Sequence, residues 1–307
     1  MKRREFLEKS VAGMGGIVLG SGLASAKDNT ETFDPWEKVE LGNTGIKVTR
    51  VGFGTGFRGS QRSSAQTRMG KEKFDKLLKF SWERGLRFYD TADLYGSHPY
   101  VGRVIGEHKR EEYTLLSKIW FRKGGIPEKK RPPADVVVDR FLEELKTDYI
   151  DVVLLHCVTS GNWPEELSDY MKAMEKLQKK GVIRAKGVSC HTLDALEAAA
   201  EEPWVDSVHI RLNPYGAKMD GAPEEHVAVA RKLHDAGKGV VAMKVIGAGE
   251  FSDSDEKRNT SVAMSLGLDC VDTMIVGFTK PGHITDIETR VRRVPVDTDA
   301  EAVLANA

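Results

Sequence analysis

Residues 149–156 read Tyr-Ile-Asp-Val-Val-Leu-Leu-His. A run this long and almost continuously apolar is a strand covered on both faces, because a half-exposed strand alternates polar and apolar positions. Runs of the same kind recur at 51–53, 86–90, 113–118, 182–189, 205–210, 239–244 and 271–277. Between them apolar positions return at helical spacing, as in Phe74, Leu77, Leu78 and Trp82, or Val137, Val138, Phe141, Leu142 and Leu145. Strand alternating with helix gives a parallel sheet joined by right-handed crossovers. Eight such units in about 250 residues are what a (β/α)8 barrel needs. The expected fold is therefore α/β, a (β/α)8 TIM barrel with an N-terminal β-hairpin over 39–48, where two short alternating runs flank Gly42-Asn43-Thr44-Gly45. A doubly wound sheet is the competing topology. Gly54-Thr55-Gly56 after the first strand is by itself weak support for it.

Composition narrows the class. The 307 residues hold 46 basic and 46 acidic groups, with 40% apolar, 7% aromatic and 30% charged residues, which excludes a polytopic membrane protein. A formal charge of zero gives no general attraction to nucleic acid or anionic lipid. Lys129-Lys130-Arg131-Pro132-Pro133 reads as a solvated loop, so no nucleic-acid partner is expected. Cys157, Cys190 and Cys270 are too few and too scattered for a disulfide framework or a Cys-x-x-Cys metal site.

Residues 1–26 read as an address. Met-Lys-Arg-Arg opens the chain, a Gly-rich apolar stretch covers 11–23, and Ala24-Ser25-Ala26 is a small-x-small cleavage signal. The stretch is too short to span a bilayer and reads as the apolar region of a signal peptide. Arg3-Arg4 followed by Phe6-Leu7 resembles a twin-arginine (Tat) signal. The expectation is a periplasmic protein exported by the Tat machinery, with no stable membrane span once mature. Cleavage would leave 42 basic against 44 acidic groups, a polar linker over 27–36, and one barrel domain over 37–307.

In a barrel of this kind chemistry sits where the strands run out into the following loops. The second strand ends in Phe88-Tyr-Asp-Thr-Ala-Asp-Leu-Tyr-Gly96, the third in Ser117-Lys-Ile-Trp120, the fourth in Leu154-Leu-His-Cys157. Taken singly, an aspartate can cap a loop, a lysine can reach water, and a histidine can be structural. Asp90, Tyr95, Lys118 and His156 at three neighbouring strand ends make a site, because an apolar barrel mouth does not hold four ionisable groups without a use.

These residues resemble the Asp-Tyr-Lys-His tetrad of the aldo-keto reductases. The Asp-Thr-Ala-x-x-Tyr-Gly string is specific to that family, and the first-strand Gly54-Thr55, the hairpin and the eight units extend the resemblance over roughly residues 37–292. The resemblance implies an NAD(P)H-dependent reduction of aldehyde or ketone to alcohol. Tyr95 would be the general acid, with its pKa lowered by the Lys118 ammonium that Asp90 holds in place, and His156 would orient the carbonyl. It also implies NADP(H) as cofactor, NAD(H) being the alternative, and a small carbonyl or alcohol substrate.

The cofactor half of the pattern departs more from the family. Ser189 matches, but Cys190 replaces the usual asparagine, His209 the usual glutamine and Met243 the usual stacking aromatic. Lys244 with the amides of Gly247 and Gly249 would meet a pyrophosphate, and Gly54 and Thr55 would lie under the cofactor. Thr279, Lys280 and His283 remain for a 2′-phosphate. Phe57, Trp120, Trp163 and Tyr215 would rim the substrate pocket, with Arg58, Arg62 and Arg68 able to attract an anion. The chain stops soon after the last helix, so the long C-terminal loop of many members is largely missing and a more open pocket is expected.

Two rivals remain at this level. His156, Cys190, His191 and His209 are a set of N and S donors that suits zinc, although neighbours on one strand point to opposite faces. The other rival is a nicotinamide-binding sensor without turnover on the same fold.

Overall fold

The computed structural model describes residues 31–307. The expected export signal over 1–26 lies outside the described residues. An antiparallel hairpin comes first, β1 (Lys38–Glu40) with β2 (Lys47–Thr49), Val39 opposite Val48. Eight parallel strands follow: β3 (Val51–Gly54), β4 (Phe88–Asp90), β5 (Thr114–Ile119), β6 (Ile150–Val158), β7 (Ile183–Cys190), β8 (Ser207–Arg211), β9 (Gly239–Met243) and β10 (Thr273–Gly277). They pair in chain order, and β10 returns to β3 to close a barrel. Its longer outer helices include α1 (Lys71–Glu83), α2 (His98–Val104), α3 (Ala134–Leu145), α4 (Ser168–Lys179), α5 (Leu193–Glu201), α6 (Pro223–Asp235), α7 (Asp255–Gly267) and α8 (Pro281–Val291).

The two faces of each strand explain the two cores. Residues at one parity, such as Phe53, Leu115, Val153, Val188, Val208 and Val240, pack outward against Phe74, Leu78, Val138 and Phe141 of the helices. Residues at the other parity, Phe88, Leu116, Val152, Leu154, Ala185, Val241 and Ile275, fill the barrel interior. Continuing the inward series by two residues turns it polar, giving Asp90, Lys118 and His156. The site is thus a polar layer on an apolar floor.

The hairpin supplies the bottom of that floor. Leu41, Ile46 and Val48 are buried in the same cluster as the interior residues. Gly42 has φ +50, and a Cβ there would collide with the backbone at Lys238 and Gly239, so only glycine lets the hairpin seat against the start of β9. Of the polar segment 27–36, residues 31–36 run along the surface, where Phe33 is buried and donates its N–H to Val294 O at 3.1 Å.

One local departure bears on the site. β6 extends beyond His156 through a register shift between Leu155 and Val158, and Cys157 there has φ +64. Such a bulge re-aims the side chains around it. If the hairpin is the barrel's floor, Leu41→Ala should cost about 2–5 kcal/mol of stability. Urea unfolding checks this, and a loss near zero would show the interior does not depend on the hairpin.

Candidate active site

Asp90 and Lys118 form a buried ion pair inside the mouth of the barrel. The ammonium also donates to Thr91 O at 3.0 Å, and His209 Nδ1 lies 3.9 Å from the same Asp90 oxygen. Burial pulls the Lys118 ammonium below its ordinary range and pushes the Asp90 carboxyl up, and in each case the partner's charge opposes it. Asp90 therefore anchors the group arriving from β5, with the His209 ring close by.

Tyr95 reaches the site from a single 3-10 turn, Asp93–Tyr95, that ends on Gly96 at φ +63. The phenol hydroxyl meets His156 Nε2 at 3.2 Å, with the two rings edge to face at 5.4 Å. Lys118 Nζ stands 5.2 Å from the centre of the Tyr95 ring. The ring lies on bare backbone: a Cβ on Gly56 or Gly59 would run into it. The turn itself is clamped through Asp93, which accepts from Arg62 at 2.9 Å and Arg140 at 2.8 Å. Arg140 continues to Glu144 at 2.9 Å, Glu144 to His98 Nδ1 at 2.8 Å, and His98 Nε2 to Ser117 Oγ at 2.8 Å. Ser117 is the neighbour of Lys118, so one network fixes both ends of the site.

The electrostatics differ from the expectation for Tyr95. Withdrawal from water raises the phenol well above the ordinary tyrosine range, and the Asp90 charge pushes the same way. Lys118 does not reverse this, because its charge is already matched by Asp90. His156 is held well below the usual imidazole range by burial, with Lys118 adding to the effect. Tyr95 therefore carries its proton and His156 is neutral.

Other expected residues divide into those brought to this site and those engaged elsewhere. Ser189 Oγ, His209 Nε2 and His156 Nδ1 are buried without a hydrogen-bond partner. Ser189 and His209 occupy paired positions on β7 and β8, and Met243 is half-buried at the end of β9. Trp120 packs edge-on against His156 at 5.4 Å. Phe57 lies beside Gly249 and the β10 end, and Tyr215 packs against Phe251 at 5.0 Å.

Cys190 is not brought in: one step from Ser189 it faces outward, is 2% exposed, and its thiol reaches Ala195 O at 3.5 Å in the helix layer. Trp163 is likewise fully buried away from the mouth, with its indole N–H on Ala195 O at 3.2 Å. Thr55 is occupied by Asp90 O at 2.8 Å and Ser97 Oγ at 2.7 Å. The Gly54 carbonyl accepts from Gln66 at 3.1 Å.

The Gly247 and Gly249 amides close local turns onto Lys244 O at 2.8 Å and Ile246 O at 2.9 Å, which leaves Lys244 as the cation of that loop. His283 Nδ1 contacts Thr279 Oγ1 at 3.3 Å, and Lys280 is exposed. Arg62 is taken up by Asp93 and by Glu128 at 2.5 Å, Arg68 reaches Ser63 at 3.2 Å, and Arg58 lies over Phe57. The rival zinc ligands are not assembled, because Cys190 faces away from His156. Among the described residues no three His, Cys, Asp or Glu side chains are grouped to hold a metal.

Two further residues stand at the mouth: His191, which the sequence offers only as a zinc donor, and Arg211, which it does not single out. His191 and Arg211 each follow an inward-facing residue by two, Ser189 and His209, and so face the same opening. Arg211 Nη2 meets His191 Nδ1 at 2.7 Å.

The fold and this arrangement define a class, and comparison with known proteins agrees. The sequence pattern of the aldo/keto reductase family matches residues 50–267, and the chain belongs to that family. It is 36% identical over 145 residues to the glyoxal reductase of Bacillus subtilis, covering 44% of this chain and 49% of that protein. It is 30% identical over 143 residues to the methylglyoxal reductase DkgB of Salmonella typhimurium, covering 45% and 51%. The chain thus spans about half the length of these curated relatives.

Among solved structures, the aldo-keto reductase AKR11C1 of Bacillus halodurans in its holo form superposes with a TM-score of 0.70 at 20% identity, over 88% of this chain and 96% of that one. The thermostable aldo-keto reductase Tm1743, in complex with the inhibitor epalrestat, gives 0.69 at 22% identity over 88% and 100%. At this identity these likenesses establish the fold.

The glycine bed under Tyr95 can be tested on its own. Gly56→Ala should displace the phenol from His156. The nitrogen resonance of His156 Nε2 should then shift as it does in Tyr95→Phe. An unmoved resonance would mean that the ring does not rest on Gly56.

Proposed function

We propose that this protein is a nicotinamide-dependent carbonyl oxidoreductase, interconverting an aldehyde or ketone and its alcohol. The observation that carries the reading is the Tyr95 hydroxyl on His156 beside the buried Asp90–Lys118 pair. Reduction of a carbonyl builds negative charge on oxygen and needs a proton at that atom. Tyr95 holds such a proton at neutral pH, because its surroundings keep the phenol un-ionised. Lys118, fixed by Asp90, sets a positive charge beside the ring and stabilises charge that develops at the hydroxyl as the proton leaves. Neutral His156 shares the hydroxyl and orients the carbonyl oxygen toward it.

The residues present fit a nicotinamide. Ser189 Oγ and His209 Nε2 are buried polar atoms lacking protein partners, as a bound carboxamide would require, and Met243 offers a polarisable face. When bound, the cofactor supplies the hydride. Lys244 would meet the pyrophosphate. NADP(H) is our reading for the adenosine end, where Lys280 would meet a 2′-phosphate beside Thr279. Burial and Lys280 hold His283 below the usual imidazole range, so it adds a hydrogen bond and no charge. The names of the relatives, glyoxal reductase and methylglyoxal reductase, support small aldehydes as substrates. The twin-arginine pattern at 1–26 supports export to the periplasm with the cofactor already bound.

Oxidation of reduced nicotinamide with methylglyoxal as acceptor tests the core of the proposal. Tyr95→Phe should lower the rate by roughly 10²- to 10⁴-fold while cofactor binding persists. Ser189→Ala should weaken cofactor binding by about tenfold, the worth of one hydrogen bond. Undiminished turnover by Tyr95→Phe would remove the proposed acid.

A further inference from the structure

The groups assigned to proton transfer and to the nicotinamide leave a second cluster at the mouth. Arg211, at the end of β8, donates Nη2–H to His191 Nδ1 at 2.7 Å. That bond fixes the tautomer: Nδ1 accepts, and the ring proton sits on Nε2. Burial and the neighbouring Arg211 charge hold His191 at about 3, so the ring stays a neutral donor at any working pH. Its Nε2–H has no protein acceptor among the described residues. Arg211 is half-buried, and its Nε is buried without a partner.

No carboxylate answers this guanidinium. Asp220, whose charge reaches it, is taken up by the Leu193 N–H at 2.8 Å and by His226 at 3.5 Å. Asp90 is matched by Lys118. Arg122, from the loop after β5, donates from Nη1 to Cys157 O and Thr159 Oγ1 at 2.9 and 2.8 Å and adds a further positive charge nearby. Cations drawn partly out of water without a counter-ion are costly unless a ligand supplies the charge.

Two sources of that charge are open, a substrate or the cofactor's pyrophosphate, because the Arg211 charge also reaches Lys244, which adjoins the Gly247–Gly249 turn. The His191 ring lies 6.4 Å from the ring of His156, the residue that holds the Tyr95 hydroxyl, and this nearness favours the substrate. A chain of a few carbon atoms spans that gap. We propose that Arg211 and His191 form an anion subsite for the substrate, so that the preferred substrates are short carbonyl compounds carrying a carboxylate or phosphate a few bonds from the reacting carbon. An arginine fork takes either group through two parallel hydrogen bonds, and the His191 Nε2–H adds a third donor. A site with such donors favours the charged substrate over its neutral analogue, since the neutral one leaves them unpaired. The inference rests on Tyr95 and His156 marking the carbonyl position.

The test uses the NADPH-loaded enzyme and paired substrates: glyoxylate and succinic semialdehyde against methylglyoxal, and glyceraldehyde 3-phosphate against glyceraldehyde. In wild type, kcat/KM should favour at least one anionic series over its neutral partner by tenfold or more. Arg211→Gln should reduce that ratio by roughly 10- to 100-fold, the usual worth of charge-assisted hydrogen bonds. Arg211→Lys should retain part of it. A second readout needs no turnover: malonate, or inorganic phosphate, should raise the melting temperature of wild type and not of Arg211→Gln. The anion that does so identifies the group. Turnover of neutral aldehydes without anionic preference, and with equal malonate and phosphate shifts in both proteins, overturns the subsite and leaves the reductase standing. Arg211-dependent stabilisation with no turnover of any aldehyde keeps the subsite and overturns the carbonyl reading.

Discussion

A carboxylate and an ammonium held together inside the barrel are the constraint on which the site depends. Either charge alone in that position would be prohibitively desolvated, so Asp90 and Lys118 must be kept or lost as a pair. Their pairing then sets the electrostatics around them. Lys118's charge, already matched, does not ionise Tyr95, and Asp90 adds to the forces that keep the phenol protonated. His209 stands 3.9 Å from the same carboxylate, and burial with the Lys118 charge keeps its ring neutral. A phenol that keeps its proton follows from this balance.

The pair can sit there because of what lies below and around it. Strand parity puts apolar side chains on the barrel axis for two layers and polar ones in the next. The network from Asp93 through Arg140, Glu144 and His98 to Ser117 links the Tyr95 turn to the strand that carries Lys118. Two side chains far apart in the sequence are thereby held to a common frame. The glycines under Tyr95 do the remaining positioning by omission, leaving room for a ring where any side chain would intrude.

The strands were legible because fully covered strands are apolar runs, and all eight fall within a few residues of the expected spans. Asp90, Lys118 and His156 were legible as a group because they stand near the ends of three consecutive strands, and Tyr95 because it follows in the loop after the first of them. Cys190 shows where family correspondence fails. It stands one residue from the inward-facing Ser189, so strand alternation turns its thiol to the helices. Trp163 could not be placed from sequence, since its loop's path decides whether an indole faces the mouth or the core. The roles of Thr55 and of the Gly247 and Gly249 amides were equally hidden, because hydrogen bonds to distant or local carbonyls already occupy them. The pairing of His191 with Arg211 needed the register of β7 on β8, which no single strand encodes.

The seated hairpin gives the barrel a closed end. Leu41, Ile46 and Val48 fill one end of the barrel interior, so the polar layer of Asp90, Lys118 and His156 stands at the other, where the strands run out into loops. A short hairpin at the far end of the molecule thus decides which end of the barrel is left for polar groups.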